Sequence, residues 1–319
     1  MLSLIATLVF LPPSPFMVTS PNGKVSLVVN QMIWSAKYDG QEVISGTLAL
    51  ADSTGSLQKS RARVSAFEPV STLVPGVGDD LSYWLVYFHI EGDGVAGNVT
   101  FRVYDDAIVF RYQIESCGND KAIALTDEGT TITPSGDPLS LVQYLENYKT
   151  SHEHNVARVP FSKVDEDRLL DTPLTMIGDG YALAITEASL RNYAGMSLMK
   201  EGGALRSKLS PRDDGTLVET TLPMKTPWRV VLIGDNVGDL VESNTIFALN
   251  EPAEGDWDWV KPGKITWPWW NGNLFDGVPP DPILSFETSK KYIDWCAENG
   301  IPYHSFVADE TMTPWYYQT

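Results

Sequence analysis

The fold is decided by KPGKITWPWWNGN (residues 261–273), SFETSKKYIDWCAENG (285–300) and IPYHSFVAD (301–309). The β-branched and aromatic run at 264–270 and the apolar run at 302–308 each predict a short strand. Between them, Ser285 is a suitable N-cap, and apolar residues recur at helical spacing until Gly300 ends the pattern. This order predicts a βαβ unit, with two parallel strands and with functional loops at the carboxyl ends of the strands.

The preceding part of the chain, residues 20–234, predicts a different architecture, because short strand patterns alternate with turn signals such as Asp39-Gly40. Strands are predicted at 24–29, 33–38, 81–90, 99–104, 107–114, 130–133, 181–186 and 227–234. Many short strands at this spacing indicate a large antiparallel sandwich. A short amphipathic helix at 239–250 is predicted within a linker at 235–261, and a second domain at 262–319.

The composition places the chain among globular proteins and limits its partners. The chain has 319 residues, of which 43% are hydrophobic, and its length favours two domains. Its formal charge of −18 opposes binding to nucleic acid and to anionic membranes, but it suits a neutral sugar or a cation. Cys117 and Cys296 have no metal-ligand spacing, so neither a disulfide framework nor a zinc site is predicted.

The N-terminal segment at 1–19 resembles a degenerate or clipped secretory signal. Residues 2–11 are apolar, but no Lys or Arg precedes them and no clear small-residue cleavage site follows. An apolar N-terminal strand is the alternative interpretation. The run is too short to cross a bilayer as a helix, so no transmembrane segment is predicted.

Both predicted domains contain sequence motifs that resemble those of glycoside hydrolase family 97. The C-terminal motifs are KPGK at 261–264, WPWWN at 267–271, YIDWCAENGI at 292–301 and Asp309-Glu310. The N-terminal motifs are DTPLTM at 171–176, YALAITEASL at 181–190 and NYAGM at 192–196. Members of this family are bacterial α-glucosidases and α-galactosidases with calcium in the active site. The resemblance implies a β-super-sandwich before a (β/α)8 barrel, an oligosaccharide substrate and a periplasmic or secreted location.

Glu187 and Arg212 are the candidate site residues of the predicted sandwich. From the residue pattern alone, Glu187 is an exposed carboxylate at a strand end. The resemblance instead implies that it binds Ca2+ together with glutamates from late barrel strands, in keeping with the oxygen ligands that calcium prefers. Arg212 lies in a predicted turn at 210–215, and the resemblance implies that a loop in this region approaches the substrate.

The candidate substrate contacts of the second domain are Trp267, Trp269, Asn271, Asp309 and Glu310. Core packing explains one or two of the tryptophans at 267, 269 and 270. Three in four positions, followed by an Asn, indicate that at least one faces a sugar pocket, where aromatic faces cover the apolar surfaces of sugars. Asp309 and Glu310 follow the second strand, but adjacent strand residues point in opposite directions. They therefore cannot face each other across the roughly 5 to 9.5 Å that two-carboxylate mechanisms need. We interpret them as pocket-lining or supporting residues.

The resemblance implies that the catalytic carboxylates come from later barrel strands, beyond Thr319. A complete barrel takes about 250 residues, whereas residues 262–319 suffice for two strands and one helix. The sequence therefore predicts the N-terminal part of a longer glycoside hydrolase, inactive by itself. A non-catalytic sandwich that binds carbohydrate or packs against a partner is the alternative function.

Overall fold

A computed structural model describes residues 15–53, 55, 57, 61–74, 80–92, 94–271 and 285–305. The chain divides into two compact units, Met1–Pro252 and Ala253–Thr319. The predicted signal-like run at 2–11 lies outside the described residues. The first strand begins at Phe16, inside the segment that the sequence assigned to the signal. Among the described residues, no helix has the length and apolar character needed to cross a bilayer.

One sheet of the first unit contains eight strands. They are β1 (Phe16–Thr19), β2 (Val25–Asn30), β3 (Ile33–Tyr38), β4 (Gln41–Thr47), β11 (Thr131–Pro134), β14 (Leu169–Leu170), β17 (Met196–Glu201) and β18 (Ala204–Leu209). Their order is β1-β2-β3-β4-β11-β18-β17-β14, and every pairing is antiparallel. Asp39 and Gly40, between β3 and β4, both have positive φ, as the type I′ two-residue hairpin turn requires.

The second sheet contains β6 (Arg61–Leu73), β7 (Asp80–Gly92), β8 (Val95–Tyr104), β9 (Ala107–Cys117), β12 (Leu139–Leu145), β13 (Val156–Pro160), β15 (Leu174–Ile177), β16 (Ala182–Ala188), β20 (Met224–Lys225) and β21 (Trp228–Gly234). Its order is β6-β7-β8-β9-β21-β16-β15-β12-β13, with β20 beside β9. Strand β12 also pairs with β14, which joins the two sheets. A small separate sheet contains β5 (Ala51–Asp52), β10 (Ala122–Asp127) and β19 (Val218–Thr221).

The two large sheets face each other across one hydrophobic core. Trp34 of β3 contacts Phe110 of β9, with ring centroids 5.6 Å apart, and Phe16 of β1 contacts Phe88 of β7 at 5.9 Å. Buried and less buried residues alternate along β2, as the strand period of two requires. The predicted antiparallel sandwich is confirmed.

Two short helices follow the last strand of the second sheet. They are α1 (Val237–Glu242) and α2 (Thr245–Leu249), whereas the sequence predicted one helix at 239–250. Ser243 is extended between them, and the hydroxyl groups of Ser243 and Thr245 both donate to Asp106, at 2.6 and 2.8 Å. These side-chain bonds hold the chain at the break, which explains why the single-helix prediction was wrong.

The second unit contains one helix between two short parallel strands. Strands β22 (Ile265–Thr266) and β23 (Tyr303–His304) pair in parallel, and α3 (Phe286–Glu298) lies between them in sequence. The Ser285 hydroxyl caps α3 by accepting from the Thr288 amide, and Gly300, with φ of 65°, follows the helix end.

The first strand is shorter than the predicted run at 264–270. Residues Pro268–Asn271 form a 3-10 helix, because a proline lacks the amide that a strand ladder needs. Residues 306–319 lie outside the described part, so a barrel beyond this unit stays a prediction.

Candidate functional site

Glu187 lies near the end of β16, and its Cα partner across the ladder is Arg229 of β21. Its side chain is 14% exposed, so the interpretation of Glu187 as an exposed strand-end carboxylate was wrong. Strand β16 is an interior strand, paired on one side with β15 and on the other with β21. Buried and exposed residues also do not alternate simply along β16, as the interpretation of Glu187 as an exposed residue assumed.

Arg229 joins Glu187 to a second carboxylate, Glu128. Its Nε and one terminal nitrogen donate to the two oxygens of Glu128, both at 2.6 Å, and its other terminal nitrogen donates to Glu187 Oε2 at 2.6 Å. The Tyr193 hydroxyl also donates to Glu128, at 3.1 Å. The second oxygen of Glu187 accepts from the Met196 amide at 3.0 Å. We call Glu128, Arg229 and Glu187 the acidic cluster, because it contains two carboxylates and one guanidinium.

The acidic cluster is almost completely removed from water. The side chains of Arg229 and Glu128 are 1% and 0% exposed. Burial by itself lowers the pKa of the Arg229 guanidinium, but the charge and hydrogen bonds of Glu128 and the charge of Glu187 outweigh it and raise that pKa. Burial and the neighbouring Glu128 raise the pKa of the Tyr193 hydroxyl well above its ordinary value. Arg229 therefore remains charged and Tyr193 neutral at physiological pH, which fixes their roles as hydrogen-bond donors.

Glu187 suits one position in the coordination shell of a hard cation. An ionised carboxylate offers about four acceptor sites, and hydrogen bonds from Arg229 and Met196 occupy two of those of Glu187. Oxygen ligands are the ones that calcium prefers, and calcium takes about six to eight of them. The described residues contain no group of three or more acidic, His or Cys side chains placed to hold a metal. Two acceptor sites of Glu187 remain beside its two hydrogen bonds, which is enough for one ligand position.

The aromatic candidates of the second unit lie at an exposed turn. Trp267 and Trp270 stack with ring centroids 6.2 Å apart, and the two residues are 50% and 76% exposed. Exposed, parallel aromatic rings suit the apolar faces of a sugar. The side chains of Trp269 and Asn271 fall outside the described part of the structure, as do Asp309 and Glu310 entirely.

Arg212 lies in the predicted turn, which the structure contains. Its amide donates to the Thr216 carbonyl at 2.9 Å, and the Gly215 amide donates back to the Arg212 carbonyl at 2.9 Å. The guanidinium lies 3.6 Å from the carboxylate of Glu219, and both side chains are more than 60% exposed. A contact between Arg212 and substrate stays a prediction.

The sequence analysis did not identify Glu128, Arg229 or Tyr193 as site residues. One signal was present, because Arg229 is the only charged residue in the apolar strand PWRVVLIG at 227–234. A charged residue in such a strand needs a buried partner. The identity of that partner was not readable, since Glu128 lies 101 positions earlier.

The fold and the site define a class of proteins in which a large antiparallel sandwich precedes a unit of parallel strands and helix. Residues 18–252 match the family model described as glycosyl-hydrolase 97 N-terminal. The chain therefore belongs to glycoside hydrolase family 97.

Two curated proteins are similar to this chain. The chain is 30% identical over 237 residues to a retaining alpha-galactosidase of Bacteroides thetaiotaomicron, which covers 65% of this chain and 35% of the relative. It is 27% identical to a probable retaining alpha-galactosidase of Streptomyces bingchenggensis, over 68% of this chain and 32% of that protein. The chain thus spans about a third of the length of these curated relatives.

Solved structures show the same similarity. A glycoside hydrolase family 97 enzyme from Pseudoalteromonas sp. strain K8, in complex with acarbose, superposes with a TM-score of 0.75 at 25% identity. The match covers 91% of this chain and 46% of that one. A beta-arabinopyranosidase matches with a TM-score of 0.75 at 21% identity, which supports the fold alone.

Proposed function

We propose that this chain is the N-terminal part of a glycoside hydrolase that cleaves α-galactosidic or α-glucosidic bonds. Its relatives are named as retaining alpha-galactosidases, and a similar structure binds acarbose. Because the chain spans only part of their length, the activity is assigned to the longer protein. A periplasmic or secreted location belongs to the same proposal.

The role we assign to Glu187 is that of a calcium ligand. The observation that carries this assignment is the fixed position of its carboxylate, which Arg229 and the Met196 amide hold at 2.6 and 3.0 Å. A ligand held by such bonds loses little conformational freedom on binding a cation, since its rotamer is already set. A calcium ion held here would supply a positive charge that stabilises negative charge developing on the leaving oxygen of the glycosidic bond. Arg229 and Glu128 position the ligand and do not contact the sugar.

The test compares calcium responses of two carboxylate variants. Glu187→Gln removes the charge of the proposed ligand, and Glu115→Gln removes an exposed carboxylate of β9 as the matched control. This chain alone is expected to release no nitrophenol from the nitrophenyl α-galactoside or α-glucoside, and calcium should leave its thermal midpoint almost unchanged.

A longer protein that contains this chain together with a complete barrel is expected to hydrolyse one of the two substrates. It should lose that activity in EGTA. Glu187→Gln should lower its calcium affinity at least about tenfold, and Glu115→Gln should not. If Glu187→Gln retained both the calcium response and the activity, the assignment of Glu187 would be wrong. Hydrolysis by this chain alone would refute the location of the catalytic carboxylates.

The second candidate function is non-catalytic carbohydrate binding, favoured by the exposed stack of Trp267 and Trp270. It predicts that this chain alone binds maltotriose or melibiose and that Trp270→Ala abolishes binding. Tryptophan fluorescence titration distinguishes the two functions, because the catalytic proposal needs no sugar affinity in this chain.

A further inference from the structure

Two arginines lie beside one tryptophan on a face of the second sheet away from the acidic cluster. The guanidinium carbons of Arg102 in β8 and Arg111 in β9 lie 4.6 and 4.2 Å from the ring centroid of Trp228. Arg102 pairs across the ladder with Val109, two residues from Arg111, so the two arginines are diagonal neighbours on one face. Trp228 precedes Arg229 on β21, and adjacent strand residues point to opposite faces. This face is therefore independent of Glu187 and of the proposed function.

Neither arginine is paired with a carboxylate among the described residues. Arg102 donates to the Tyr104 hydroxyl at 3.1 Å, but the Nε atoms of Arg102 and Arg111 are buried and have no hydrogen-bond partner in the described structure. Glu251 acts on Arg111 only at longer range, and its carboxylate lies 3.5 Å from Arg191 instead. Two neighbouring cations without an anion are costly when partly removed from water.

The pKa of Arg111 reflects the lack of a neighbouring anion. Burial, together with the neighbouring charge of Arg102, lowers the pKa of Arg111 to about 10. Trp228 is 1% exposed, so its ring orients the two guanidinium groups by cation–π contact and leaves no face for a ligand. Because both Nε atoms are buried, the donor groups that remain for a ligand are the terminal nitrogens of the two guanidinium groups.

We propose that Arg102 and Arg111 form a binding site for the carboxylate group of a small sugar acid. Guanidinium groups match the planar geometry of a carboxylate, and one such group supplies the anion that the pair lacks. A single negative charge is preferred over a polyanion, because the net charge of −18 repels highly charged ligands at long range.

The neighbouring side chains favour a ligand with hydroxyl groups. Gln113 lies two residues from Arg111 on the same face of β9, and its side-chain oxygen accepts from the Thr100 hydroxyl at 3.0 Å. The orientation of the amide is fixed by that bond, so its N–H groups can donate to a sugar hydroxyl. A sugar acid combines the carboxylate and the hydroxyls that these residues bind.

The test titrates galacturonate into the full chain and follows the Nε–H signals of Arg102 and Arg111 and the indole N–H of Trp228 by NMR. Galactose is the matched neutral sugar, and acetate is the matched free carboxylate. Arg102→Gln and Arg111→Gln each remove one guanidinium, and Lys225→Gln removes an exposed cation next to Gln113 as the control.

Saturable shifts with galacturonate, at least tenfold weaker binding in each arginine variant, unchanged binding in Lys225→Gln and no shifts with galactose would support the proposal. Equal binding of acetate would mean an adventitious ion only and would overturn it. Absence of saturable shifts in the unmodified chain would also overturn it, and that result does not depend on how the variants fold.

Discussion

Replacing Arg229 by methionine tests whether the acidic cluster is a structural requirement of the sandwich. The substitution removes the guanidinium but preserves much of the apolar volume. It deletes three charge-assisted hydrogen bonds of 2.6 Å and leaves Glu128, at 0% exposure, and Glu187, at 14%, without their cation. Two carboxylates then remain close together in a region that excludes water.

The expected cost follows from the burial of the cluster. Removing one partner of a buried ion pair costs about 3–5 kcal/mol, because the charge left behind has neither water nor a counter-ion. For domains of about 150–250 residues, each kcal/mol lowers the midpoint by about 2–4 °C, so we expect a decrease of roughly 10 °C. The double variant Arg229→Met with Glu128→Leu should recover part of this loss, since it removes one uncompensated carboxylate.

The assay is urea unfolding followed by circular dichroism of the strand signal, with thermal midpoints measured in parallel. Arg63→Met is the matched control, because Arg63 and Glu91 form an exposed pair whose side chains are 66% and 53% exposed. Exposed pairs contribute about 0.2–1 kcal/mol. If Arg229→Met cost no more than Arg63→Met, or if the double variant were less stable than Arg229→Met, the reasoning from buried charge would be refuted.

Two further predictions concern the second unit and the segment before it. Residues 250–265 are all exposed, so brief digestion should cut after Glu254 with Glu-C protease and after Lys264 with trypsin; mass spectrometry showing earlier cuts within the sheets would contradict this. Burial lowers the pKa of the His304 imidazole below its ordinary 6.5, so the folded unit favours the neutral ring. As the pH falls, the unfolded chain therefore binds a proton before the folded unit does. The contribution of His304 to the free energy of unfolding of this unit should be fully present above pH 6.5, and it should decline as the pH falls through 6.5 toward the folded pKa. Hydrogen exchange of α3, corrected for intrinsic rates, measures this, and His304→Gln should remove the pH dependence; an unchanged pH dependence would exclude His304 as its source.

Local sequence signals predicted the sandwich class and eight of its strands, but not β4, β6 or β12 among others. Alternating residues and turn signals such as Asp39-Gly40 are properties of a few neighbouring positions, and the eight predicted strands appear where these signals lie. The same holds for α3, where the Ser285 cap is readable from the sequence and present in the structure. These elements depend on contacts within a strand, a hairpin or one helical turn.

The helix break and the buried charges, which the sequence did not predict, depend on distant partners. The break between α1 and α2 is held by Asp106, more than 130 positions before Ser243. The burial of Glu187 depends on Arg229, and the charge of Arg229 depends on Glu128, 101 positions away. No periodicity contains this information, because strand order brings these residues together.

Strand β21 connects two charge clusters of opposite sign. Arg229 points to one face, where two carboxylates surround one guanidinium, and Trp228 points to the other, beside the two guanidinium groups of Arg102 and Arg111. The first cluster has a net negative charge and the second a net positive charge. Strand β21 keeps the two clusters on opposite faces, and the charges that change the pKa of Arg111 include neither Glu128 nor Glu187. The excess charge of each cluster is therefore not balanced through the sheet.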